Sequence, residues 1–251
     1  MTKVVFIGVS GATCSGKTTL AKHLNRILPD SVIIHQDPIE QVPIHPVHGV
    51  QDWDRAEGAI TWDKMVRFLR QVKKDGSIPP EHRSHDHLNK QKLVSVDDEV
   101  SIKWTQQFEE LKEKNSANGG EKIIWGLVDG FLLYWHPEVI EQLDVRIMLR
   151  VPYDVLKARR HERHGYHTAV QTDLAEGSLW RDPPGYWDDI VYPAYVDAHK
   201  AVFEGEDVEH GKPTSKVEDL IVLETLDITM TDAVERCCEV IKNVAEKNYS
   251  S

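Results

Sequence analysis

Residues 11–18 read GATCSGKT and match the phosphate-binding loop pattern G-x-x-x-x-G-K-[ST] at every fixed position. The flanking residues supply the context that this loop requires. Residues 3–9 form a short apolar run typical of a buried strand, and residues 18–28 place leucine and isoleucine at helical spacing. A strand, a glycine loop and a helix in this order predict a binding site for a nucleoside triphosphate.

Each part of the loop has a chemical task. Glycines let successive backbone N–H groups turn toward a phosphate, and the start of the following helix adds partial positive charge. We expect Lys17 to reach the β- and γ-phosphates and the Thr18 hydroxyl to bind Mg²⁺. The predicted ATP-binding residues of the loop are Gly11, Ala12, Thr13, Cys14, Ser15, Gly16, Lys17, Thr18 and Thr19.

Length and composition limit the class of protein. A chain of 251 residues suits one large α/β domain or two small ones. Its formal net charge of −11 argues against a nucleic-acid partner, because binding to a phosphate backbone requires a surplus of positive charge. No apolar run approaches the roughly 20 residues that span a bilayer, and no signal-peptide pattern precedes the first strand.

The three cysteines indicate the redox compartment. Cys14 lies in the glycine loop, and Cys237 and Cys238 are neighbours in a helical pattern. This placement favours reduced thiols over a disulfide framework. We therefore expect a cytoplasmic protein, with the nucleus as a second compartment.

Strand and helix patterns alternate along the chain. Further apolar runs are found at 31–35, 122–128, 145–151 and 219–224. Helical patterns are found at 62–73, 153–163, 185–203 and 231–247. The alternation predicts an α/β fold with a parallel sheet and helices on both faces. We expect a single domain over residues 1–251, with a polar surface insertion at about 75–120.

Ligands of open parallel sheets collect at the carboxyl ends of the strands. After the second strand this rule selects Asp37, a candidate base for an acceptor hydroxyl; a turn aspartate before Pro38 is the alternative interpretation. After the third strand it selects Asp129, a candidate Mg²⁺ ligand that binds directly or through water. An aspartate in a tight Asp-Gly turn is the alternative for Asp129.

The motifs favour a small-molecule kinase over a GTP-dependent switch. A switch requires D-x-x-G after the third strand and N-K-x-D later, whereas this chain has DGF at 129–131 and NKQK at 89–92. A kinase requires a carboxylate beside the acceptor hydroxyl and cations beside the migrating phosphoryl group. The chain offers both.

The cations are Arg159, Arg160 and Arg163, which follow the fourth strand with histidines between them. Such a run is commonly just the solvated face of a helix. Because it begins near the carboxyl end of a strand, it also suits a lid at about 159–182 that closes over phosphates.

A second group lies at 49–54, where Trp53 and Asp54 follow Asp37 in the chain. A carboxylate can accept hydrogen bonds from a ribose diol, and an indole can stack on a heteroaromatic base, preferably a cationic one. A core position in the following helix is the alternative for Trp53.

Together the motifs resemble those of nicotinamide riboside kinases. The segments that carry the resemblance are, in order, GxxxSGKTTLAK, HQD, QDWD, DGFLLY, KARRHER and DPPGYWDDIVYPAY, within residues 8–195. This family is similar to uridine kinases, with a five-stranded parallel core and a mobile lid. The resemblance implies phosphorylation of the ribose 5′-hydroxyl of nicotinamide riboside by ATP with Mg²⁺, giving nicotinamide mononucleotide for NAD synthesis.

The resemblance also implies roles for single residues. Asp37 matches the family's general base and also lies near Mg²⁺, and Thr18 matches the metal ligand of the loop. Trp53 stands where the family has an aromatic side chain stacked on the nicotinamide ring, and Asp54 matches a ligand of the ribose hydroxyls.

On the lid, Arg160 matches a second ribose ligand, and Arg159 and Arg163 match residues that contact ATP. Tyr166 is expected to cover the other face of the base. Asp227 and Ile228, after the last strand, are expected to touch the adenine.

The chain departs from the family pattern in three respects. The family often has a glutamate where Asp129 stands, so the shorter side chain reaches less far toward the metal. The lid is lengthened at 167–181, and residues 75–120 exceed the compact pattern.

The identity of the acceptor stays open at this stage. Nicotinamide riboside, nicotinic acid riboside and pyrimidine nucleosides such as uridine or cytidine share the ribose and differ only in the base. A non-catalytic nucleotide-binding sensor is the alternative from another class. The expected partners are ATP and a small nucleoside, without nucleic acid or membrane, in a monomer or weak homodimer.

Overall fold

The computed structural model describes residues 2–36, 42–77, 94–163, 165–168 and 178–249. Within these ranges the side chains at 166–168, 178–179 and 248–249 are not described. The predicted residue Asp37 and parts of the predicted insertion and lid lie outside the described residues.

The centre of the fold is a five-stranded parallel sheet. Its strands are β1 (Thr2–Gly11), β2 (Ser31–His35), β3 (Lys122–Gly130), β4 (Val145–Arg150) and β7 (Ile221–Glu224), while β5 (Tyr166–Thr168) and β6 (Ser178–Trp180) form a separate pair. The order across the sheet is β2-β3-β1-β4-β7. All five predicted strands are confirmed, with ends that differ by at most two residues. Nearly continuous apolar runs form them because helices cover both faces of the sheet.

The strand order places the glycine loop at a crevice. β1 pairs with β3 on one side and with β4 on the other, so the chain changes direction across the sheet at β1. In open parallel sheets, ligands bind at the carboxyl end of the strands at such a switch point. Gly11, the first residue of the loop, is the last residue of β1.

Helices cover the two faces of the sheet. They are α1 (Lys17–Ile27), α2 (Ala56–Ala59), α3 (Trp62–Asp75), α4 (Asp98–Ala117), α5 (Pro137–Ile140), α6 (Tyr153–His161), α7 (Tyr192–His199) and α8 (Met230–Tyr249). One face packs against α1, α4 and α8, and the other packs against α3 and the chain that follows α7. Within the described residues no helix is both long enough and apolar enough to cross a membrane.

Helix α4 lies in the predicted surface insertion, but it packs into the core. Trp104 and Phe108 of this helix are 3% and 2% exposed, and both belong to the core cluster on the α1 and α8 side. The helix therefore contributes to the core, whereas its high content of charged residues suggested a surface segment. Val100 and Leu111 of the same helix pack against this cluster as well, so apolar residues spaced three and four positions apart form its buried face.

The predicted helix at 185–203 is not uniform. A π-helical turn spans Trp187–Val191, α7 follows it, and a 3₁₀ turn spans Lys200–Val202. Pro193 has no N–H to donate and its ring crowds the preceding turn, so ordinary helical bonding fails just before it. The backbone N–H of Tyr192 bonds instead to the carbonyl of Trp187, five residues back.

The segment predicted to be a lid contains an element that periodicity did not predict. Residues Tyr166–Thr168 (β5) and Ser178–Trp180 (β6) pair as two antiparallel strands, with Tyr166 opposite Trp180. The strands have three residues each, which is too short for an alternating pattern to be recognised in the sequence.

Candidate active site

The glycine loop has the backbone conformation that phosphate binding requires. Gly11, Cys14 and Gly16 all have positive φ angles, of 147°, 63° and 99°. A Cβ atom at position 11 would lie 2.6 Å from the carbonyl oxygen of Leu149, so only glycine fits there. No side chain caps the start of α1 and no acidic residue lies in its first turn, so its first N–H groups are available to an anionic ligand.

The ammonium group of Lys17 lies beside the loop, and the nearby negative charge does not offset the cost of its burial. Its Nζ donates to the carbonyl of Ala12 at 3.4 Å. Burial lowers the pKa of Lys17, Asp129 opposes that shift, and Arg163 and Arg160 add to it. An anionic phosphate in the loop would supply negative charge and stabilise the protonated amine.

Thr18, Asp129 and His35 form a connected group at the ends of three elements. The Thr18 hydroxyl donates to Oδ2 of Asp129 at 2.6 Å, and Nδ1 of His35 lies 3.2 Å from the same oxygen. Burial alone would raise the pKa of Asp129, but His35, Lys17 and Thr18 together lower it. The carboxylate is therefore ionised at neutral pH, as a metal ligand must be.

This group fits a magnesium ion. Oδ1 of Asp129 is buried without a hydrogen-bond partner, and Thr18 keeps oxygen lone pairs available while its proton is donated to Asp129. Among the described residues there is no cluster of three His, Cys, Asp or Glu side chains that could hold a metal by itself. Mg²⁺ does not require one, because it is usually bound by one or two protein oxygens together with phosphate and water.

Two arginines of α6 contact the glycine loop. Arg159 Nη1 donates to the carbonyl of Cys14 at 3.3 Å, and Arg160 Nη1 donates to Oγ1 of Thr13 at 3.2 Å. The rest of the Arg160 fork binds both carboxylate oxygens of Asp182, at 2.6 and 2.9 Å. These contacts distinguish the run from a solvated helix face, since Arg160 is only 7% exposed.

Asp54 is a buried carboxylate, and one of its oxygens has no hydrogen-bond partner. It is 9% exposed, and its Oδ2 has no hydrogen-bond partner. Burial raises the pKa of Asp54 to about 6, against the opposing influence of Arg160. Its backbone N–H donates to Oδ1 of Asp52, which also accepts from the N–H of Arg55 and so fixes this short segment.

A pocket connects the glycine loop to Asp54. Its lining consists of loop residues, the residues after β3 and one face of the helical segment that includes α7: Ala12, Thr13, Asp54, Phe131, Leu132, Trp187, Val191, Tyr195 and His199. The last four recur at intervals of four residues, so a single helix face forms one wall. Trp187 Nε1 and His199 Nε2 are buried without hydrogen-bond partners.

Trp53 lies among aromatic side chains beside this pocket. Its ring meets Trp180 of β6 edge to face, with centroids 5.8 Å apart, and Trp180 in turn contacts Tyr186. Trp53 precedes α2 and is only partly buried, so it is not a core residue of that helix. The side chain of Tyr166 is not described, but its backbone pairs with Trp180.

The remaining predicted residues lie at the same edge of the sheet or outside the description. Gln36 follows β2, with its N–H bonded to the carbonyl of Asp129; the candidate base Asp37 is the next residue and is not described. Asp227 and Ile228 lie in the connection between β7 and α8, the former exposed and the latter partly buried.

Sequence reasoning missed three residues of the site. Asp182 holds Arg160, and a signal existed because it begins the DPPGY motif. Trp180 contacts Trp53 from a strand that was not predicted. His199 lines the pocket, and only the spacing of four from Tyr195 and Val191 pointed to it.

The parallel sheet, the loop at its switch point and the adjoining pocket define the class of α/β P-loop kinases. No protein-family model matches the chain. The nicotinamide riboside kinase of Schizosaccharomyces pombe is 32% identical over 210 residues, which cover 82% of this chain and 84% of the relative. That of Saccharomyces cerevisiae is 31% identical and covers 82% of each chain. Human nicotinamide riboside kinase 1 is 27% identical and covers 95% of this chain and 98% of its own. The chain belongs to the nicotinamide riboside kinase family.

Two solved structures align with 96% of the chain. A sugar kinase from a Janibacter species is 15% identical with a TM-score of 0.37 and 95% of its own chain covered. The tunicamycin resistance protein of Deinococcus radiodurans is 12% identical with a TM-score of 0.33 and 96% covered. At these scores the likeness carries no argument about this chain.

Proposed function

We propose that this chain transfers the γ-phosphoryl group of ATP to the ribose 5′-hydroxyl of nicotinamide riboside, giving nicotinamide mononucleotide for NAD synthesis. Family membership supports the reaction, since several relatives are named nicotinamide riboside kinases. The observation that carries the proposal to this chain is that loop residues Ala12 and Thr13 and the buried carboxylate of Asp54 line the same small cavity, so the proposed phosphate and ribose sites adjoin.

ATP would bind along the glycine loop. The backbone N–H groups of residues 11–19 and the start of α1 would hold its phosphates, with Lys17 beside the β- and γ-phosphates. Arg159 already contacts the loop carbonyl of Cys14, and Arg163 is close enough to influence the charge on Lys17. Asp227 and Ile228 are the proposed contacts of the adenine.

Thr18 and Asp129 are the proposed ligands of Mg²⁺, with Asp37 nearby. The ion, when bound, neutralises charge that develops on the phosphate oxygens. Within the protein, His35 and Thr18 keep Asp129 ionised and oriented. Asp37 is the proposed general base, which orients the acceptor hydroxyl and accepts its proton.

The acceptor would bind against Asp54 and the aromatic residues. Asp54 Oδ2 is an open acceptor for a ribose hydroxyl. Arg160, held by Asp182, supplies positive charge close to Asp54 and is the second proposed ribose ligand. Trp53 and Tyr166 are the proposed cover of the nicotinamide ring.

All three cysteines are thiols, and Cys237 and Cys238 are fully buried. Reduced thiols of this kind suit a reducing compartment, which supports the proposal that the enzyme acts in the cytoplasm.

The test is an ADP-release assay on a nucleoside panel with ATP and Mg²⁺. We expect kcat/KM for nicotinamide riboside to exceed that for uridine. A preference for uridine or cytidine would reassign the chain to pyrimidine nucleosides. ATP binding without turnover on any nucleoside would identify a sensor instead.

A further inference from the structure

Tyr186 is a buried residue of the DPPGYW motif to which the proposed function assigns no role. It is 2% exposed and lies directly before the π-helical turn, after Gly185, whose φ of 78° favours glycine. Its hydroxyl donates to the carbonyl oxygen of Gln51 at 2.7 Å and accepts from the backbone N–H of Trp53 at 3.3 Å. Burial raises the pKa of Tyr186, so the hydroxyl keeps the proton that it donates.

These two bonds hold the segment from Gln51 to Asp54, which carries proposed contacts of the nucleoside. The side chain of Asp52 accepts from the N–H of Asp54 and so closes a local turn. The carbonyl of Gln51 and the N–H of Trp53 lie on either side of Asp52 and both bond to the same hydroxyl. The backbone of the segment is therefore held by one local turn and by the distant side chain of Tyr186.

The ring of Tyr186 is also linked to the other proposed contacts. Its centroid lies 5.5 Å from that of Trp180, whose ring meets Trp53 edge to face. Nε1 of Trp180 donates to Oδ1 of Asp182, the carboxylate that holds Arg160. Tyr186 thus contacts, directly or through Trp180, the supports of the proposed base and ribose contacts.

We propose that Tyr186 is a positioning residue that holds Trp53 and Asp54 in the geometry that binds the nucleoside. The inference rests on the proposed function, because it takes Trp53 and Asp54 as the nucleoside contacts. Tyr186 acts by limiting the conformations of the segment that carries them. When only a fraction of the molecules holds the binding geometry, the apparent dissociation constant rises by the inverse of that fraction.

The test removes the hydroxyl and keeps the ring. Tyr186→Phe loses both bonds to the segment but retains an aromatic ring against Trp180. KM for nicotinamide riboside, KM for ATP and kcat are measured separately. We expect KM for the riboside to rise about 3- to 10-fold, the usual net effect of a neutral hydrogen bond, with KM for ATP and kcat nearly unchanged.

A double-mutant cycle with Trp53→Ala separates positioning from general stability. In the Trp53→Ala background, Tyr186→Phe should raise KM for the riboside by a smaller factor than in the wild type, because one of the two contacts that Tyr186 positions is already absent. A purely structural role would lower the unfolding temperature and change KM by the same factor in both backgrounds.

Tyr134→Phe is the matched control. Tyr134 is fully buried, and its hydroxyl lies 3.1 Å and 2.9 Å from the carbonyl oxygens of Gly8 and Ile147. These contacts connect β1 to β4 and do not involve the segment from Gln51 to Asp54. We expect a lower unfolding temperature and an unchanged KM for nicotinamide riboside.

A second variant keeps the test decisive if Tyr186→Phe does not fold. In Tyr186→4-aminophenylalanine the amino group can still donate to the carbonyl of Gln51, but it is a weaker acceptor for the N–H of Trp53. This variant should raise KM for the riboside by less than Tyr186→Phe and leave KM for ATP unchanged.

The inference is overturned if KM for the riboside is unchanged in both Tyr186 variants, if KM for ATP rises equally, or if the factors in the cycle are the same in both backgrounds. If the wild type phosphorylates uridine and not nicotinamide riboside, the proposed function fails, and the same cycle with uridine decides the role of Tyr186. Absence of turnover on every nucleoside overturns both.

Discussion

The two sides of the pocket differ in how their polar atoms are paired. On the side formed by the glycine loop, Thr18, His35 and Asp129, here called the phosphate wall, the side chains bind one another. On the side formed by Asp54 and the face of 187–199, here called the acceptor wall, Asp54, Trp187 and His199 each bury an atom without a partner. The phosphate wall also holds such atoms, Asp129 Oδ1 and Ser15 Oγ, but Thr18 and His35 fix Asp129 through its other oxygen. We therefore propose that the phosphate wall is the better organised of the two before a ligand binds.

This difference predicts different kinetic signatures. Groups of the phosphate wall are proposed to act on charge that develops during transfer, so their loss should lower kcat. Groups of the acceptor wall are proposed to act on a substrate that is bound throughout, so their loss should mainly raise KM.

The largest effect is expected for Asp37→Asn, because it removes the proposed proton acceptor and keeps the shape of the side chain. We expect kcat to fall by about 10²- to 10⁴-fold, the usual range for general acid–base catalysis. Steady-state kinetics with saturating ATP measure this, and Asp63→Asn, on the exposed surface of α3, is the control. A raised KM with unchanged kcat would indicate that Asp37 binds the nucleoside and does not accept the proton.

Lys17→Ala should lower kcat by about 10²- to 10³-fold, the usual cost of losing one positioned group that stabilises transition-state charge. Thermal unfolding should change little, because Lys17 makes no contribution to apolar packing. Lys64→Ala, exposed on α3, is the matched control. Retention of more than about a tenth of wild-type kcat would contradict the role of Lys17 in transfer.

Asp54→Asn should raise stability at neutral pH. The pKa of Asp54 is about 6 when folded and 3.8 ordinarily, so between about pH 4 and 6 only the folded protein holds this proton. The free energy of unfolding therefore falls as the pH rises through that window, by up to about 3 kcal/mol. The substitution removes this loss while weakening nucleoside binding.

Urea unfolding at pH 7.5 and at pH 4 measures the change in the free energy of unfolding. The advantage of Asp54→Asn should be present at pH 7.5 and largely absent at pH 4, and Asp63→Asn should show none. Lower stability than the wild type at pH 7.5 would mean that Asp54 has a stabilising partner, and the acceptor wall would then resemble the phosphate wall.

The smallest effect concerns the base. Nicotinamide riboside carries a positive pyridinium ring and uridine is neutral, so an indole face should favour the former by about 0.5–2 kcal/mol. Trp53→Ala should therefore reduce kcat/KM more for nicotinamide riboside than for uridine, whereas Asp54→Ala should reduce both alike. The ratio of the two losses is the measurement. If Trp53→Ala lowers kcat/KM equally for nicotinamide riboside and for uridine, Trp53 does not stack on the base and serves only to pack against Trp180.

The phosphate wall was more readily predicted from sequence than the acceptor wall. Its loop is contiguous and its backbone conformation is set by Gly11 and Gly16, so a local motif was sufficient. Asp129 was predicted as well, because the ends of parallel strands meet at one edge of the sheet. The contact of His35 with Asp129 required knowing that β2 lies beside β3.

The acceptor wall depended on long-range packing. Asp54 was found by its motif, but its raised pKa follows from burial that only the folded chain provides. The helical pattern at 185–203 was recognised, yet the π-helical turn around Trp187 was not, because it arises from the conflict between Pro193 and the preceding turn.

The sequence by itself determined the five parallel strands, the phosphate loop and the class of reaction, because apolar runs and the glycine motif act locally. Tertiary structure alone decided that α4 joins the core, that Asp182 holds Arg160 and that His199 faces the same pocket as Asp54. The physical reason is that a side chain's partner depends on which distant segments meet. A polar atom that is left without a partner becomes visible only once every neighbouring segment is in place.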